Sequence, residues 1–476
     1  MKGAFIFFGM SRMLSFIGAL LLVPLAVSVY SGDGTASAFW PSLITTAAGA
    51  ALFQVGGRTR KRQMPLTEGT ALLFFAWFVL ALVGAMPFVC AGILVPADAF
   101  TEGMAAFTTN GTFMSIEQVP ATFRIWHILM EWAGALIFIS FFVTVVPQVS
   151  NVFSFGLTGN NPFVFTTGLT RMFSFVKAVS IIYVFLTVLS CIAYTAAGLS
   201  FDTAVLQAMT TVSTGGTSLV PLVSPGLVAA AMIGMFLSSC NFLLLYRILR
   251  ERSIRAFRFN TEIRVFAVLV IGATFLVAMN IRDGGLYPWS DSLRTALFHV
   301  LSFVSTTGFT GPEAVTFPEF DRLLLFLLVF VGGCVGSVTG GMRVLRFLIL
   351  LKMTGRELLR TLHPQMVVNV KANNMSVPLP VISRVLNVFF LFTVMFFFSA
   401  LVLSLSGLTP LHSFGLAGSG LTGTSAAASL FETAELTALP VWAKLYYSFT
   451  MALGRMEIVA FFIVLQTGTH FLRRRW

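Results

Sequence analysis

Ten apolar stretches, each long enough to cross a membrane, follow one another along the chain. A membrane helix needs about 20 consecutive, mostly apolar residues, and short polar segments separate the stretches. They lie near residues 4–30, 38–56, 68–92, 125–149, 173–199, 222–246, 264–281, 321–351, 380–406 and 441–469. The pattern predicts an all-α, polytopic membrane protein with about ten transmembrane helices and both ends on the same side.

Four further segments between the spans are too short to cross the membrane: 97–116, 201–221, 291–311 and 409–426. Each opens with a helix-start signal, and the expected caps are Asp98, Asp202, Ser290 or Asp291, and Thr409 followed by Pro410. Each then breaks into small, hydroxylated sequence that contains glycine. A unit of span, short helix, glycine loop and span therefore recurs four times after an initial hairpin.

This repeat divides the chain into five parts. They are an N-terminal transmembrane hairpin (1–57), pore repeat 1 (58–150), pore repeat 2 (151–258), pore repeat 3 with a glycine-rich intramembrane segment (259–360) and pore repeat 4 (361–476). Irregular backbone is tolerated at membrane depth only where protein encloses it or where it lines a water-filled cavity. We therefore expect four re-entrant helix–loop segments in a pseudo-fourfold arrangement around one axis.

The four glycine loops have the composition of a cation pathway. A half-helix that ends at the axis directs its partially negative C-terminus there, and the carbonyl oxygens of the following loop can replace the water around a cation. Glycine allows the backbone conformations that turn carbonyls inward. The candidate ion-binding residues are Thr109, Asn110, Gly111, Thr214, Gly215, Gly216, Thr306, Thr307, Gly308, Leu421, Thr422 and Gly423. The alternative for any single loop is a glycine that marks close helix packing.

A second glycine-rich segment, residues 332–341, lies inside the span 321–351. Five glycines in ten residues destabilise a regular helix by about 1 kcal/mol each relative to alanine, so we expect an interruption that acts as a constriction. The candidate gate residues are Gly336, Ser337, Thr339, Gly340, Gly341 and Arg455. Arg455 lies in the last span, where an ionisable residue is expensive. The alternatives are a glycine-rich packing face and a structural pair between Arg455 and Glu457.

Composition and charge agree with a membrane protein. The chain is 57% hydrophobic and 10% charged, against roughly 25% charged in ordinary globular proteins. The net charge of +12 falls in clusters at 58–62, 247–258, 343–360 and 473–475, which the positive-inside rule assigns to the cytoplasm. No basic stretch belongs to a nucleic-acid-binding module.

Other function classes find little support. The cysteines and histidines form no ligand-spaced cluster, so an enzyme or a resident metal site is not expected. The motif GxGxxG at 418–423 lacks a preceding strand. An ion-coupled solute transporter would need acidic residues at mid-membrane depth, and the spans are nearly free of Asp and Glu.

Four motifs resemble the TrkH-type subunits of the Trk/Ktr/HKT potassium transporter superfamily, and the resemblance extends over nearly the whole chain. They are Ala208 to Gly216, Gly332 to Arg346 continuing to Lys352, Glu357 to Pro364, and Gly454 to Glu457. The resemblance implies potassium uptake across the cytoplasmic (inner) membrane by a multi-pass protein, with K⁺ at the loop residues. It also implies a gating loop at Gly332–Gly341 and a blocking Arg455.

The resemblance further implies a homodimer and a cytoplasmic ring of TrkA/KtrA-like nucleotide-binding regulatory subunits, for which the basic loops would be the docking surface. No covalently bound cofactor is implied. Three features depart from the family pattern: Asn110, the run Trp132-Ala133-Gly134-Ala135, and a fourth loop aligned by its distance to Lys444. The alternative function is a less selective channel for K⁺ and Na⁺ or an ion-coupled cation symporter.

Overall fold

The fold is described from a computed structural model of the chain. The structure describes residues 4–57, 66–111, 119–144, 169–252, 255–285, 287–310, 317–363, 369–372, 375–431, 436–456 and 458–473. The basic cluster 58–62, Pro364, Glu457 and the two final arginines lie outside the described residues.

Helices account for nearly all of the regular structure in the described ranges. The N-terminal hairpin consists of α1 (Ala4–Ser31) and α2 (Ala36–Gly56). Next come α3 (Leu66–Cys90), α4 (Pro96–Phe107) and α5 (Ala121–Thr144). They are followed by α6 (Leu169–Ala196), α7 (Phe201–Ser213), α8 (Pro225–Ser239), α9 (Phe242–Glu251) and the single turn α10 (Arg255–Arg258).

The second half of the chain continues the same order. It contains α11 (Thr261–Asp283), α12 (Trp289–Val304), α13 (Glu319–Val331) and α14 (Val344–Leu362). Two short strands, β1 (Lys371–Ala372) and β2 (Met375–Ser376), pair antiparallel before α15 (Leu379–Ser404). Last come α16 (Pro410–Thr422), the turn α17 (Ala426–Ser429), a 3₁₀ turn at Leu436–Ala438, α18 (Val441–Met456) and α19 (Ile458–Arg473).

The membrane spans agree with the prediction. Within the described ranges, seven helices are long and apolar enough to cross a membrane, and nine spans result when two bent pairs are each counted as one. The eighth predicted span, 321–351, is divided into α13 and α14 by residues 332–343, at the glycine-rich segment. In α1, α2 and α15 only 33%, 28% and 28% of the most apolar window is buried inside the protein, so most of their apolar surface lies on the outside of the chain.

Two spans are broken where we expected continuous helices. Helices α8 and α9 meet at an angle of 97°, and α18 and α19 at 102°. At the first break the Asn241 side chain accepts hydrogen bonds from the backbone N–H groups of Leu243 (3.0 Å) and Leu244 (3.1 Å). This capping replaces the partners that the first turn of a new helix lacks.

The four short helices are confirmed, but most of their expected caps are wrong. Thr409 caps α16 by accepting a hydrogen bond from His412 N at 3.3 Å, and Pro410 occupies the first helical position. The expected caps Asp98, Asp202 and Ser290 or Asp291 lie inside their helices, which begin earlier with Val95, Ser200 and Pro288 at the N-cap position. Asp98, Asp202 and Asp291 occupy the first turn instead, where a negative charge is also favourable.

One carboxylate attaches the N-terminal hairpin to the rest of the protein. Asp33, in the turn between α1 and α2, accepts hydrogen bonds from Ser28 Oγ (2.5 Å), Thr35 Oγ1 (2.8 Å) and Thr122 Oγ1 (2.5 Å). Since Thr122 begins the second span of the first repeat, this contact links the hairpin to α5.

Candidate ion pathway

The four short helices end in the same way. In each, a backbone N–H donates a hydrogen bond to the carbonyl five residues earlier, which is the longer bond of a Schellman motif. The bonds run from Asn110 to Ala105 (2.8 Å), Gly215 to Thr210 (3.0 Å), Thr307 to Ser302 (3.1 Å) and Thr424 to Ser419 (3.3 Å). These bonds give a structural register for the four loops that does not depend on sequence similarity.

The residue before each of these donors adopts a left-handed conformation. The four residues are Thr109 (φ 52°), Thr214 (φ 56°), Thr306 (φ 55°) and Gly423 (φ 73°). The residue after each donor is Gly111 (φ 93°), Gly216 (φ 83°), Gly308 (φ 80°) and Ser425 (φ −63°). Gly423 therefore corresponds to the three threonines, and Ser425 stands where the other loops have their glycine. Leu421 and Thr422, also predicted loop residues, are the last residues of helix α16.

The four loops form a closed ring of neighbours. A Cβ atom added to Gly111 would lie 3.4 Å from Gly215 O, and one added to Gly216 would lie 2.7 Å from Thr307 O. A Cβ on Gly308 would lie 2.5 Å from Thr424 Oγ1, and the Cβ on Gly111 would also lie 2.5 Å from Ser425 Oγ. Each loop therefore contacts the next, and the fourth contacts the first.

Three of the four loops leave their central carbonyl oxygens available. The carbonyls of Gly111, Gly216 and Gly308 accept no hydrogen bond from any described residue. The carbonyl of Ser425 accepts bonds from Ala428 N (2.9 Å) and Ser429 N (3.2 Å), because Ser425 begins the turn α17. The oxygen that the fourth loop can offer at this level is the partly exposed Ser425 hydroxyl, which forms no hydrogen bond with a described residue.

Asn110 binds behind the loops rather than among the free carbonyls. Its Nδ2 donates a hydrogen bond to Tyr447 Oη at 2.8 Å, and Ser419 Oγ lies 2.7 Å from the same phenol oxygen. The side chain therefore joins the first repeat to α16 and α18 of the fourth. The departure from the family pattern at Asn110 therefore affects the packing between repeats, whereas Ser425 occupies a position in the ring itself.

The intramembrane loop, residues 332–343, is held by the backbone and side chains of three other elements. Cys334 N donates to Ser239 O (2.9 Å) and Phe242 N donates to Gly336 O (3.0 Å), so the break between α8 and α9 binds the loop on both sides. Val335 N donates to the carboxylate of Glu262 at 2.6 Å. Two backbone bonds and one carboxylate thus fix a segment that lacks helical hydrogen bonds of its own.

Two buried arginines organise this loop. Arg343 Nη1 donates to Ser337 Oγ (3.0 Å) and Thr339 Oγ1 (2.6 Å). Arg455 donates from Nε to Thr108 O (2.5 Å) and from Nη1 to Val338 O (2.8 Å). Arg455 therefore joins the end of the first short helix to the intramembrane loop. Glu457, its alternative partner, lies outside the described residues.

The intramembrane loop also touches the ring directly. Gly340 N donates to Thr306 Oγ1 at 2.7 Å, and Thr306 belongs to the third loop. A Cβ atom on Gly340 would collide with Thr422 O, and one on Gly454 would collide with Leu421 O. The predicted gate residues therefore lie against the predicted ion-binding residues, with Gly340 fitting only because it has no side chain.

An ion pair fixes the N-terminal end of the first short helix. Lys444 Nζ lies 2.5 Å from Asp98 Oδ1, and both side chains are mostly buried. Lys444 belongs to α18, so this pair again connects the fourth repeat to the first. In the sequence, Lys444 serves only as a reference position for aligning the fourth loop. In the structure it has an ion-pair partner, Asp98.

Sequence reasoning missed a buried cluster behind the second loop. His127 and Glu131 lie one turn apart on α5 with their side chains 3.1 Å apart, and His127 Nδ1 lies 2.7 Å from Glu102 Oε1 on α4. All three side chains are fully buried. The sequence signal was the spacing of four residues between a histidine and a carboxylate within an apolar span.

The expectation that the spans carry almost no acidic residues therefore needs correction. Glu131 lies within a span, and Glu262 at the start of α11 is 1% exposed. Each carboxylate contacts a backbone or side-chain group of an irregular segment.

Among the described residues no group of three or more His, Cys, Asp or Glu has the geometry of a metal site.

Curated relatives align with almost the whole chain. The Trk system potassium uptake protein TrkH of Halomonas elongata is 28% identical over 94% of this chain and 96% of its own length. The protein of the same name from Escherichia coli K12 is 26% identical over 94% and 95%. The crystal structure of the potassium transporter TrkH from Vibrio parahaemolyticus shares the fold, with a TM-score of 0.87, 24% identity, and coverage of 98% of this chain and 99% of that one.

A family model matches most of the chain. The model named TrkH, described as a cation transport protein, matches residues 62–468. Together with the apolar spans and the relatives, this match confirms a multi-pass protein of the cytoplasmic (inner) membrane that is a transporter and not an enzyme. The chain belongs to the TrkH family of cation transport proteins.

Proposed function

We propose that the protein takes up potassium across the cytoplasmic membrane, with K⁺ passing through the ring of four loops. The observation that carries this proposal is the closed ring in which Gly111, Gly216 and Gly308 keep their carbonyl oxygens free of hydrogen bonds from described residues. Carbonyl oxygens are suitable ligands for a dehydrated K⁺ ion. Relatives named as potassium uptake proteins support the choice of ion.

The intramembrane loop and Arg455 serve as the gate in this proposal. Four short helices direct their partially negative C-terminal ends toward the ring, and Arg455 places a positive charge directly beside them. Its bonds to Thr108 O and Val338 O hold the loop against the ring. Movement of the loop toward the cytoplasm would break the bond to Val338 O. The guanidinium, which α18 carries, would then be free to swing away from the pathway.

A less selective pathway for K⁺ and Na⁺ remains the second candidate, and Ser425 favours it. A hydroxyl replaces a carbonyl in one quarter of the ring, so the four ligands at this level are not equivalent. A side chain directed to the ring also narrows it, which favours a smaller ion. Ion-coupled cation symport is a further form of the same proposal.

The proposal keeps the division into a hairpin (1–57) and four repeats (58–150, 151–258, 259–360 and 361–476). It also includes a homodimer and a cytoplasmic nucleotide-binding regulatory subunit. The exposed arginines Arg247 and Arg250 on α9 support a cytoplasmic docking surface. The relatives' designation as Trk system proteins agrees with a membrane subunit that works with others.

Complementation of a bacterium that lacks potassium uptake tests the proposal. The wild-type protein, expressed with its regulatory subunit, should restore growth at low external K⁺. Gly216→Ser and Gly308→Ser should abolish rescue, because a Cβ at either position collides with the neighbouring loop at 2.7 Å or 2.5 Å.

Gly407→Ser is the matched control. Gly407 has a similar positive φ of 86°, but no atom lies within 4 Å of a Cβ placed there. This variant carries the same kind of backbone strain outside the ring and should still rescue. Rescue by both ring variants, or failure of the wild-type protein despite normal membrane levels, would contradict the proposal.

A further inference from the structure

The second loop rests on a fully buried carboxylate. Glu131 Oε1 accepts a hydrogen bond from Thr217 Oγ1 at 2.6 Å, and Thr217 directly follows Gly216. A Cβ atom at Gly215 would collide with the same carboxylate. Gly215 does not have a positive φ, so its lack of a side chain serves this close approach rather than an unusual backbone conformation.

The carboxylate is itself fixed from behind. His127 Nε2 lies 3.1 Å from Glu131 Oε1, and His127 Nδ1 lies 2.7 Å from Glu102 Oε1. Glu102 belongs to the first short helix, α4, and the histidine lies on α5. A line of three buried ionisable groups therefore runs from the first short helix to the second loop.

The cluster is poorly explained as packing alone. Burial of ionisable groups away from water is costly unless they are paired, yet Glu131 Oε2 has no hydrogen-bond partner among the described residues. Oε2 is also the atom that lies nearest to the position of a Cβ atom on Gly215. A negative charge so close to loop carbonyls is compensated when a cation occupies the neighbouring pathway.

We propose that Glu131 is a positioning residue for the second loop and that its charge sets the affinity of the ring for K⁺. The proposal rests on the function proposed above and deepens it. Thr217 transmits the position of the carboxylate to the loop through one hydrogen bond. His127 and Glu102 keep the carboxylate in place, and its charge raises the affinity of the ring for a cation without contact between carboxylate and ion.

Two substitutions separate charge from position. Glu131→Gln keeps the shape and an oxygen that can accept from Thr217 but removes the charge. Thr217→Val keeps the charge but removes the hydrogen bond. We expect Glu131→Gln to raise the K⁺ concentration that gives half-maximal thermal stabilisation about tenfold. This is the change expected for a loss of about 1.4 kcal/mol of binding free energy. We expect the second mainly to lower the preference for K⁺ over Na⁺.

The measurement is the thermal stability of the purified full-length protein in detergent across K⁺ and Na⁺ titrations. An ion that binds only the folded protein raises the melting temperature in a concentration-dependent way. Uptake of K⁺ and Na⁺ in cells supplies a second readout. If the wild-type protein shows neither K⁺-dependent stabilisation nor uptake, the proposed function fails and this inference fails with it.

Glu68→Gln is the matched control. Glu68 is also a buried carboxylate, 3% exposed, but it lies in the first turn of α3 and belongs to neither the ring nor the intramembrane loop. Its substitution should leave the ion titration unchanged. The inference is overturned if a wild-type-like K⁺ response persists in Glu131→Gln, or if Glu68→Gln weakens the response equally.

If Glu131→Gln does not accumulate in the membrane, a compensating pair of substitutions at Gly215 and Glu131 provides the test instead. Gly215→Ala alone should destroy K⁺ selectivity because the new Cβ collides with the carboxylate. Combining it with Glu131→Ala should restore part of the K⁺ response, since the space is then free. If Thr217→Val resembles the wild type and the double variant is no better than Gly215→Ala, the direct contact has no functional role and the inference is wrong.

Discussion

A residue in the left-handed conformation lies just after each of the four short helices. Helices often end with glycine in this conformation, and here threonine takes it three times. In the fourth loop Gly423 takes it instead. The loop glycines Gly111, Gly216 and Gly308 therefore occupy equivalent positions, whereas the predicted glycine of the fourth loop, Gly423, lies two residues before the equivalent position. Backbone geometry, which the residue types did not reveal, places Ser425 in register.

Ser425→Gly tests this register at the scale of one residue. It removes the side chain from the ring and should raise the preference for K⁺ over Na⁺ by roughly 3- to 10-fold, which is the size of one modest polar contact. The ratio of K⁺ to Na⁺ uptake at equal protein levels measures the change.

Gly423→Asn provides the comparison. Asparagine tolerates the left-handed conformation at a helix end, so selectivity should be preserved if Gly423 only terminates the helix. Loss of selectivity in Gly423→Asn, together with an unchanged ratio in Ser425→Gly, would return the fourth loop to the register predicted from the sequence.

At the scale of elements, the breaks in the spans differ in how visible they are in the sequence. Five glycines predicted the break between α13 and α14, because glycine weakens a helix directly. The break between α8 and α9 depends on Asn241 as a cap and on bonds from Cys334 and Phe242 to partners distant in sequence. Such a break follows from tertiary contacts, and the apolar residues around it read as one continuous span.

The gate proposal predicts that loosening the contact between loop and ring raises ion flux. Arg455→Ala removes the bonds to Thr108 O and Val338 O, and Gly340→Ala introduces a Cβ that collides with Thr422 O. Both should increase flux in the absence of regulatory stimulation by several-fold. Flux per unit of protein in the membrane is the quantity to measure.

Gly355→Ala serves as the reference for these variants. Gly355 lies in α14, with no atom within 4 Å of an added Cβ, so flux should match the wild type while the helix gains slightly in stability. Wild-type flux in both Arg455→Ala and Gly340→Ala would give these residues a purely structural role.

For the whole molecule, the sequence predicted the number of spans and the fourfold repeat but not how the repeats are joined. The joints are polar contacts between distant residues: Lys444 with Asp98, Asn110 with Tyr447, and Thr217 with Glu131. Each pair is separated by more than 80 positions in the sequence. A single sequence contains no signal that associates one such residue with the other.

The N-terminal hairpin gives a prediction about global stability. Hydrogen bonds from Ser28, Thr122 and Thr35 outweigh the opposing effect of partial desolvation and hold the pKa of Asp33 below its usual range. The ionised carboxylate therefore stabilises the fold above its unfolded-state pKa of about 3.9, and this contribution is lost as the pH falls below that value.

Thr122→Val should lower the melting temperature by about 1–3 °C at neutral pH, as expected for loss of one hydrogen bond in a large protein. Asp33→Asn should lower it as well and should flatten its decline below pH 4. Thr361→Val, which removes an exposed hydroxyl near the end of α14, provides the reference. Equal melting temperatures for the wild type and Thr122→Val would show that the hairpin does not depend on this contact.

The hydrogen bond from Gly340 N to Thr306 Oγ1 has a thermodynamic consequence. Thr306 belongs to the ring and Gly340 to the gate, so the state of one changes the free energy of the other. Such linkage is reciprocal: any factor by which opening changes the affinity for an ion is the factor by which the ion changes the opening equilibrium. External potassium would then act on this protein both as the transported ion and as an effector of its own entry.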